Sequence, residues 1–353
     1  MILDVKNTKV VYSYRRINFV YFFRKFVRID SNDKIMKRPV IILTIFTLFL
    51  TVSMHGQTVV LKAELLLDTR SELGEGAIWH PENRELWWVD IEQGYFHVFD
   101  PATGKNTTVK LGQKVGTVVP TTTGDALLAL HDGIYAYRFS DEKLKKVAPN
   151  PENATTGNRF NDGKCDPGGR FWVGTMGANR SGALYRMDAD SVLRIIRTGV
   201  STSNGIVWSL DKKVMYHIDT DTRKVTAYDY NNQPGEVVNP RDAIVIPHDM
   251  GAPDGSTLDS EGMIWIAHWG GGCVTRWNPT NGELLCKVEV PAALVTSCAF
   301  GGENLDTLFI TTARIGVKGE SAERYPYSGG LFFVKPGVKG IKANMFIGTK
   351  KQP

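Results

Sequence analysis

A unit of about 44 residues recurs along the chain. Each copy is built from short apolar and aromatic runs broken by Gly, Asn and Asp turns, and no stretch shows a sustained helical period. Four-stranded units repeating at this interval predict an all-β fold, a six-bladed β-propeller. The clearest copies start at Pro81 (PENRELWWVDIEQGYFHVFD), Asp166 (DPGGRFWVGTMGANRSGALYRMD), Ser209 and Leu258, and weaker ones start at Thr122 and Gly302. One anchor in the first apolar run of each copy gives Trp87, Leu127, Phe171, Met215, Trp265 and Phe309, separated by 40, 44, 44, 50 and 44 residues. A pair of β-sandwiches would not require so regular a spacing. Residues 57–353 are therefore expected to form one propeller domain without an internal linker.

In a propeller the first strand of each blade lines the central channel, so equivalent positions converge on one axis. About 11 residues before each anchor stand Glu75, Thr117, Asn161, Asn204, Asp254 and Cys298. Four of the six are a carboxylate or a carboxamide, each beside a glycine: Gly74-Glu75-Gly76, Asn161-Asp162-Gly163, Ser203-Asn204-Gly205 and Asp254-Gly255. Singly, such pairs are ordinary turn residues. In register at one end of a channel, two carboxylates and two amide oxygens repel unless a cation sits among them. Oxygen-only donors suit a hard divalent ion such as Ca²⁺, Mg²⁺ or Mn²⁺. Arg159, two residues before Asn161, falls on the same side of an extended segment. There it could hold an oxyanion or a hydroxyl-rich substrate, or equally pair with Asp162 or Asp166.

Composition narrows the remaining classes. The 353 residues are 42 % hydrophobic and 22 % charged, ordinary for a globular protein. The net charge of +5 is concentrated at the start, where residues 1–38 carry ten Lys and Arg against three Asp, so the body is slightly acidic. Phosphate-driven nucleic-acid binding loses its support. Met36-Lys37-Arg38 followed by the uncharged run PVIILTIFTLFLTV reads as a secretory signal over residues 36–56, too short to span a bilayer. The expectation is a periplasmic or secreted protein with no stable membrane span after signal cleavage; the alternative is an uncleaved anchor. Residues 1–35 read as a non-structural N-terminal extension. Cys165, Cys273, Cys286 and Cys298 form no CxxC pair and are expected to be buried small hydrophobes. His131, His217, His248 and His268 show no HExxH spacing, and neither a GxSxG elbow nor a Walker loop is present.

The segments GEGAIW (74–79), RFNDGKCDPGGRFWVGTM (159–176), SNGIVWSLD (203–211), PDGSTLDSEGMIWIAHWGGG (253–272) and SCAFGGENLDTLFITTA (297–313) resemble the senescence marker protein/regucalcin and gluconolactonase family, from about Leu65 to Ile347. The resemblance implies a six-bladed propeller that hydrolyses a sugar lactone with one divalent metal ion in the channel, Ca²⁺, Zn²⁺, Mn²⁺ or Mg²⁺. Matched motif by motif, it assigns metal binding to Glu75, Asn204 and Asp254 and substrate contact to Arg159 and Asn161, with Asp254 also the catalytic base. The family's further substrate-contacting Glu has no counterpart, because Gly177-Ala178-Asn179-Arg180-Ser181 contains no acid. A calcium-dependent phosphotriesterase or aryl esterase on the same scaffold is the alternative enzyme, and a non-catalytic binding propeller the alternative from another class.

Overall fold

The computed structural model describes residues 58–152 and 156–348; the segments read as extension and signal, 1–35 and 36–56, lie outside them. Six antiparallel sheets form the blades. Blade one comprises Gly74–His80, Glu85–Asp90, Tyr95–Asp100 and Lys105–Lys110. Blade two comprises Val115–Pro120, Ala126–Leu130, Gly133–Arg138 and Lys143–Pro149, and blade three Arg159–Cys165, Phe171–Met176, Gly182–Met187 and Leu193–Val200. Blade four follows with Ser203–Trp208, Val214–Asp219, Lys224–Asn231 and Glu236–Val245, and blade five with Ala252–Leu258, Ile264–Trp269, Cys273–Asn278 and Glu283–Glu289. Blade six takes Leu294–Gly301, Thr307–Ala313 and Leu331–Val334 from the C-terminal side and its outermost strand, Glu64–Leu67, from the N-terminal side. Val59–Lys62 adds a parallel fifth strand to blade five. The first strands pack one against the next around the axis and the last against the first, closing the ring. All-β, six-bladed architecture is what the repeat implies, and every anchor residue lies in the second strand of its blade.

Burial follows strand position. The first strand of blade one is buried along its whole length, whereas the fourth, Lys105–Lys110, has only exposed and half-buried residues. The second strands supply Trp87, Trp172 and Trp265, among the largest fully buried side chains. The repeat DxxGxxW has a local cause. Asp166 accepts the backbone N–H groups of Gly168 and Arg170 and the indole N–H of Trp172, all within 2.9 Å. Asp259 does the same for Glu261, Met263 and Trp265. One buried carboxylate thus shapes each turn and fixes the tryptophan that fills the gap between blades. The four cysteines are buried and unpaired, as expected. Among the described residues no helix is long and apolar enough to cross a membrane.

Every inner strand carries a β-bulge at the same level, between Glu75 and Ile78, Val115 and Thr117, Phe160 and Gly163, Asn204 and Ile206, Pro253 and Ser256, and Val295 and Ser297. A bulge re-aims side chains and bends the strand. The residues beside the glycines lie at these bulges, inside strands, so the turn reading does not hold. Glycine is required there by crowding: a Cβ on Gly205 would stand 2.9 Å from the Asp254 carbonyl and 2.5 Å from Ser256 Oγ, and one on Gly255 2.6 Å from Ser297 Oγ. The bulges also correct two positions. Gly116 and Thr296, not Thr117 and Cys298, occupy the bulges of blades two and six, because the inserted residue shifts any fixed offset from the anchor.

Candidate active site and metal centre

Glu75, Asn161, Asn204 and Asp254 lie at one end of the channel, each no more than 6 % exposed. A hydrogen-bonded chain links three blades there. Arg159 Nη1 donates to Asn161 Oδ1 (2.7 Å), and Asn161 Nδ2 donates to Asn204 Oδ1 (2.9 Å) and to the Ser203 carbonyl (2.9 Å). Asn204 Nδ2 donates to Thr220 Oγ1 (2.7 Å), whose hydroxyl donates to the Pro253 carbonyl beside Asp254 (2.9 Å). Every amide is therefore oriented by its neighbour, a geometry that holds the Asn204 oxygen in place while leaving it a second lone pair. Arg159 also donates to the Phe160 carbonyl and makes no ion pair with Asp162 or Asp166 among the described residues. Asp166 is bound by Arg170 instead.

The Glu75 and Asp254 carboxyl groups are within hydrogen-bonding reach of each other. Burial, reinforced by the neighbouring carboxylates, pushes Glu75 up to about 8 and Asp254 well above the usual carboxylate range. Two carboxyl groups forced together out of water hold a proton between them unless a cation replaces it. Among the described residues no group of three or more His, Cys, Asp or Glu could hold a metal alone. The donor set of this ring is two carboxylates and a carboxamide, all oxygen, which fits a hard divalent cation with water completing its shell.

Three residues outside the expected set adjoin this ring, Thr220 and Asp162 beside it and Lys164 further along the channel. Thr220 orients Asn204, for which no sequence signal exists. Asp162 receives the Gly163 N–H on Oδ1 (2.7 Å) but leaves Oδ2 buried without a hydrogen-bond partner among the described residues. Lys164 donates to the Ser256 carbonyl; burial lowers the pKa of its ammonium group, and the nearby Asp162 carboxylate offsets part of that. The run Asn161-Asp162-Gly163-Lys164 contains both, but the bulge between Phe160 and Gly163 breaks the alternation from which their side could be read. The 177–181 segment forms a short turn in which Asn179 and Arg180 adopt positive φ. Where an acid was missed, Arg180 is tied to Asp219 Oδ2 (3.0 Å).

Comparison with known proteins places the chain in a family. Residues 73–314 match the family model "SMP-30/Gluconolactonase/LRE-like region". The chain is 38 % identical over 289 residues to YvrE of Bacillus subtilis, covering 81 % of this chain and 99 % of that protein. It is 38 % identical over 249 residues to the pentonolactonase XacC of Haloferax volcanii, covering 70 % of this chain and 84 % of XacC. Among solved structures, a calcium-binding regucalcin from Agrobacterium tumefaciens superposes with a TM-score of 0.78 at 28 % identity, over 82 % of this chain and 99 % of that one. A propeller with this ring, matched over most of its length, is a member of the SMP-30/gluconolactonase/LRE-like family.

Proposed function

We propose that the protein is a divalent-metal-dependent hydrolase that opens the ester of a sugar lactone at the end of the channel holding Glu75, Asn161, Asn204 and Asp254. The observation that carries this reading is the meeting of two buried carboxyl groups with an amide chain that ends on Arg159. Glu75, Asn204 and Asp254 would hold the cation, which when bound polarises a carbonyl and lowers the pKa of water. Arg159 presents a fixed guanidinium and Asn161 a fixed amide, and together they orient ring hydroxyls or the lactone carbonyl. With the Glu75–Asp254 pair deprotonated, the Asp254 carboxylate would accept the proton of the attacking water. The basic and apolar run after Met36 supports export, with the chain working in the periplasm or outside the cell.

The test uses metal-stripped protein with D-glucono-1,5-lactone and a pH indicator, with spontaneous hydrolysis subtracted. Ca²⁺, Zn²⁺, Mn²⁺ and Mg²⁺ are added back one at a time, with Glu75→Ala as control. Metal-dependent turnover that disappears in Glu75→Ala is the expected result. Turnover of an aryl ester or a phosphotriester with no lactone hydrolysed would reassign the substrate, and absence of any metal binding would overturn the enzyme reading.

A further inference from the structure

The far end of the channel is closed by the chain's own C-terminal segment. Gly340 bridges to Asp259 at the foot of blade five and donates to the Leu305 carbonyl in blade six (2.7 Å). Phe346 bridges to Thr121 in blade two, and the Ile347 N–H reaches the Gly169 carbonyl in blade three (2.9 Å). Between these ties residues 341–345 pass across the mouth, held midway by Asn344 Nδ2 on the Cys165 carbonyl (3.1 Å).

Beneath this strap lies a cavity of about 310 Å³, at the lower end of the range of small-molecule sites, about 300–1,000 Å³. Its walls are apolar, with Ile78, Ile206, Leu258 and Phe300 among them. Three lysines, Lys164, Lys212 and Lys342, also line it, and no acidic residue does. Lys164 is answered by the buried Asp162 and the Ser256 carbonyl, whereas Lys212 and Lys342 form no ion pair among the described residues. The Trp208 ring adds to the apolar wall of the same cavity.

We propose that this cavity is a second binding site, for a small amphipathic monoanion: a carboxylate or comparable group carried on an apolar body. The apolar walls take the body, while the ammonium groups of Lys212 and Lys342 take the anionic oxygens. Lys164 stands between this cavity and the Glu75–Asp254 end of the channel. A mere packing gap under the strap would show no preference for charge.

Octanoate is the probe and octanamide its uncharged isostere, each titrated calorimetrically into the whole protein with chelator present, so that no cation at the opposite end can capture the carboxylate. Octanoate is expected to bind once per chain and about tenfold more tightly than octanamide, the scale of a hydrogen bond to a charged group. Ala343→Trp, which fills the cavity from the strap, is expected to abolish binding. Lys342→Glu, at an exposed position, is expected to weaken it several-fold, and Glu75→Gln to leave it unchanged. No saturable binding by the unmodified protein, equal binding of the amide, or loss of binding in Glu75→Gln would each overturn the proposal. If Ala343→Trp does not fold, Lys342→Glu decides: octanoate affinity unaltered in that variant refutes the site.

Discussion

Glu75→Gln separates the two roles of a buried carboxyl group, because it should move stability and metal response in opposite directions. Glutamine keeps the shape, can accept the Gly76 N–H that now bonds Oε2 at 3.0 Å, and can donate to Asp254. What it removes is the ionisable group. In the unfolded chain Glu75 titrates near 4.5, but in the fold it is held up to about 8. A carboxyl group whose folded pKa is raised lends stability below the unfolded value and loses it as pH rises through the folded one. At pH 7 the 2.5-unit gap to the unfolded value corresponds to about 3 kcal/mol, which the metal-free native protein forgoes. Metal-free Glu75→Gln should therefore be more stable than the unmodified protein by about 3 kcal/mol at pH 7, or roughly 5 °C in Tm. The gain should vanish below pH 4.5 and level off above pH 8. Added Ca²⁺ should raise the Tm of the unmodified protein by mass action and leave that of the variant unchanged. Scanning calorimetry across pH, with and without metal, measures both effects. A metal-free variant less stable than its parent, or one stabilised equally by metal, would refute the placement of Glu75 as a strained ligand.

Two further substitutions test the scaffold around this site. Gly205→Ala puts a methyl group against Ser256 Oγ and the Asp254 carbonyl, so it should cost about 1–3 kcal/mol by denaturant titration and lower kcat by displacing Asp254. An unchanged kcat would show that the bulge does not position that carboxylate. Asp166→Ala strands the Trp172 and Tyr230 donors and the Arg170 guanidinium, which it binds at 2.8, 2.7 and 2.6 Å. It should cost about 3 kcal/mol or more, with lactone turnover of the folded fraction retained. A loss below about 1 kcal/mol would mean that the turn is held by its backbone alone.

The propeller was legible because its repeat is written in side chains with a local task. A turn-forming Asp and the Trp six residues later mark a blade wherever they recur, as at Asp166 and Trp172 or Asp259 and Trp265. The converging ring was legible for a similar reason: Glu75, Asn161, Asn204 and Asp254 each precede or enter a bulge at the same depth. The bulges themselves were not legible, since Asn-Gly and Asp-Gly normally announce turns. Here the glycine answers a strand of the next blade, as Gly205 answers Ser256 and Gly255 answers Ser297, and that neighbour is invisible in the local sequence. That is why blades two and six were set on Thr117 and Cys298 in place of Gly116 and Thr296. Thr220 escaped notice because a hydroxyl that orients an amide leaves no pattern. The incomplete sixth copy did carry a signal: it ends at Val334 without a fourth strand, while the apolar run at 59–67 precedes the first copy.

The pairing of Leu65 with Phe332 has a kinetic consequence. Five blades are hairpin sheets that can assemble in the order of synthesis, each using contacts close in sequence. Blade six waits for a strand from the opposite end of the chain, and joining the two ends requires closing a loop of nearly the whole domain. Folding therefore finishes in a single late step, when Glu64–Leu67 docks on Leu331–Val334. Until then the Leu331–Val334 strand offers an open edge on which a second unfolded copy could pair, which makes the nascent chain's most vulnerable interval the one just before its ring is closed.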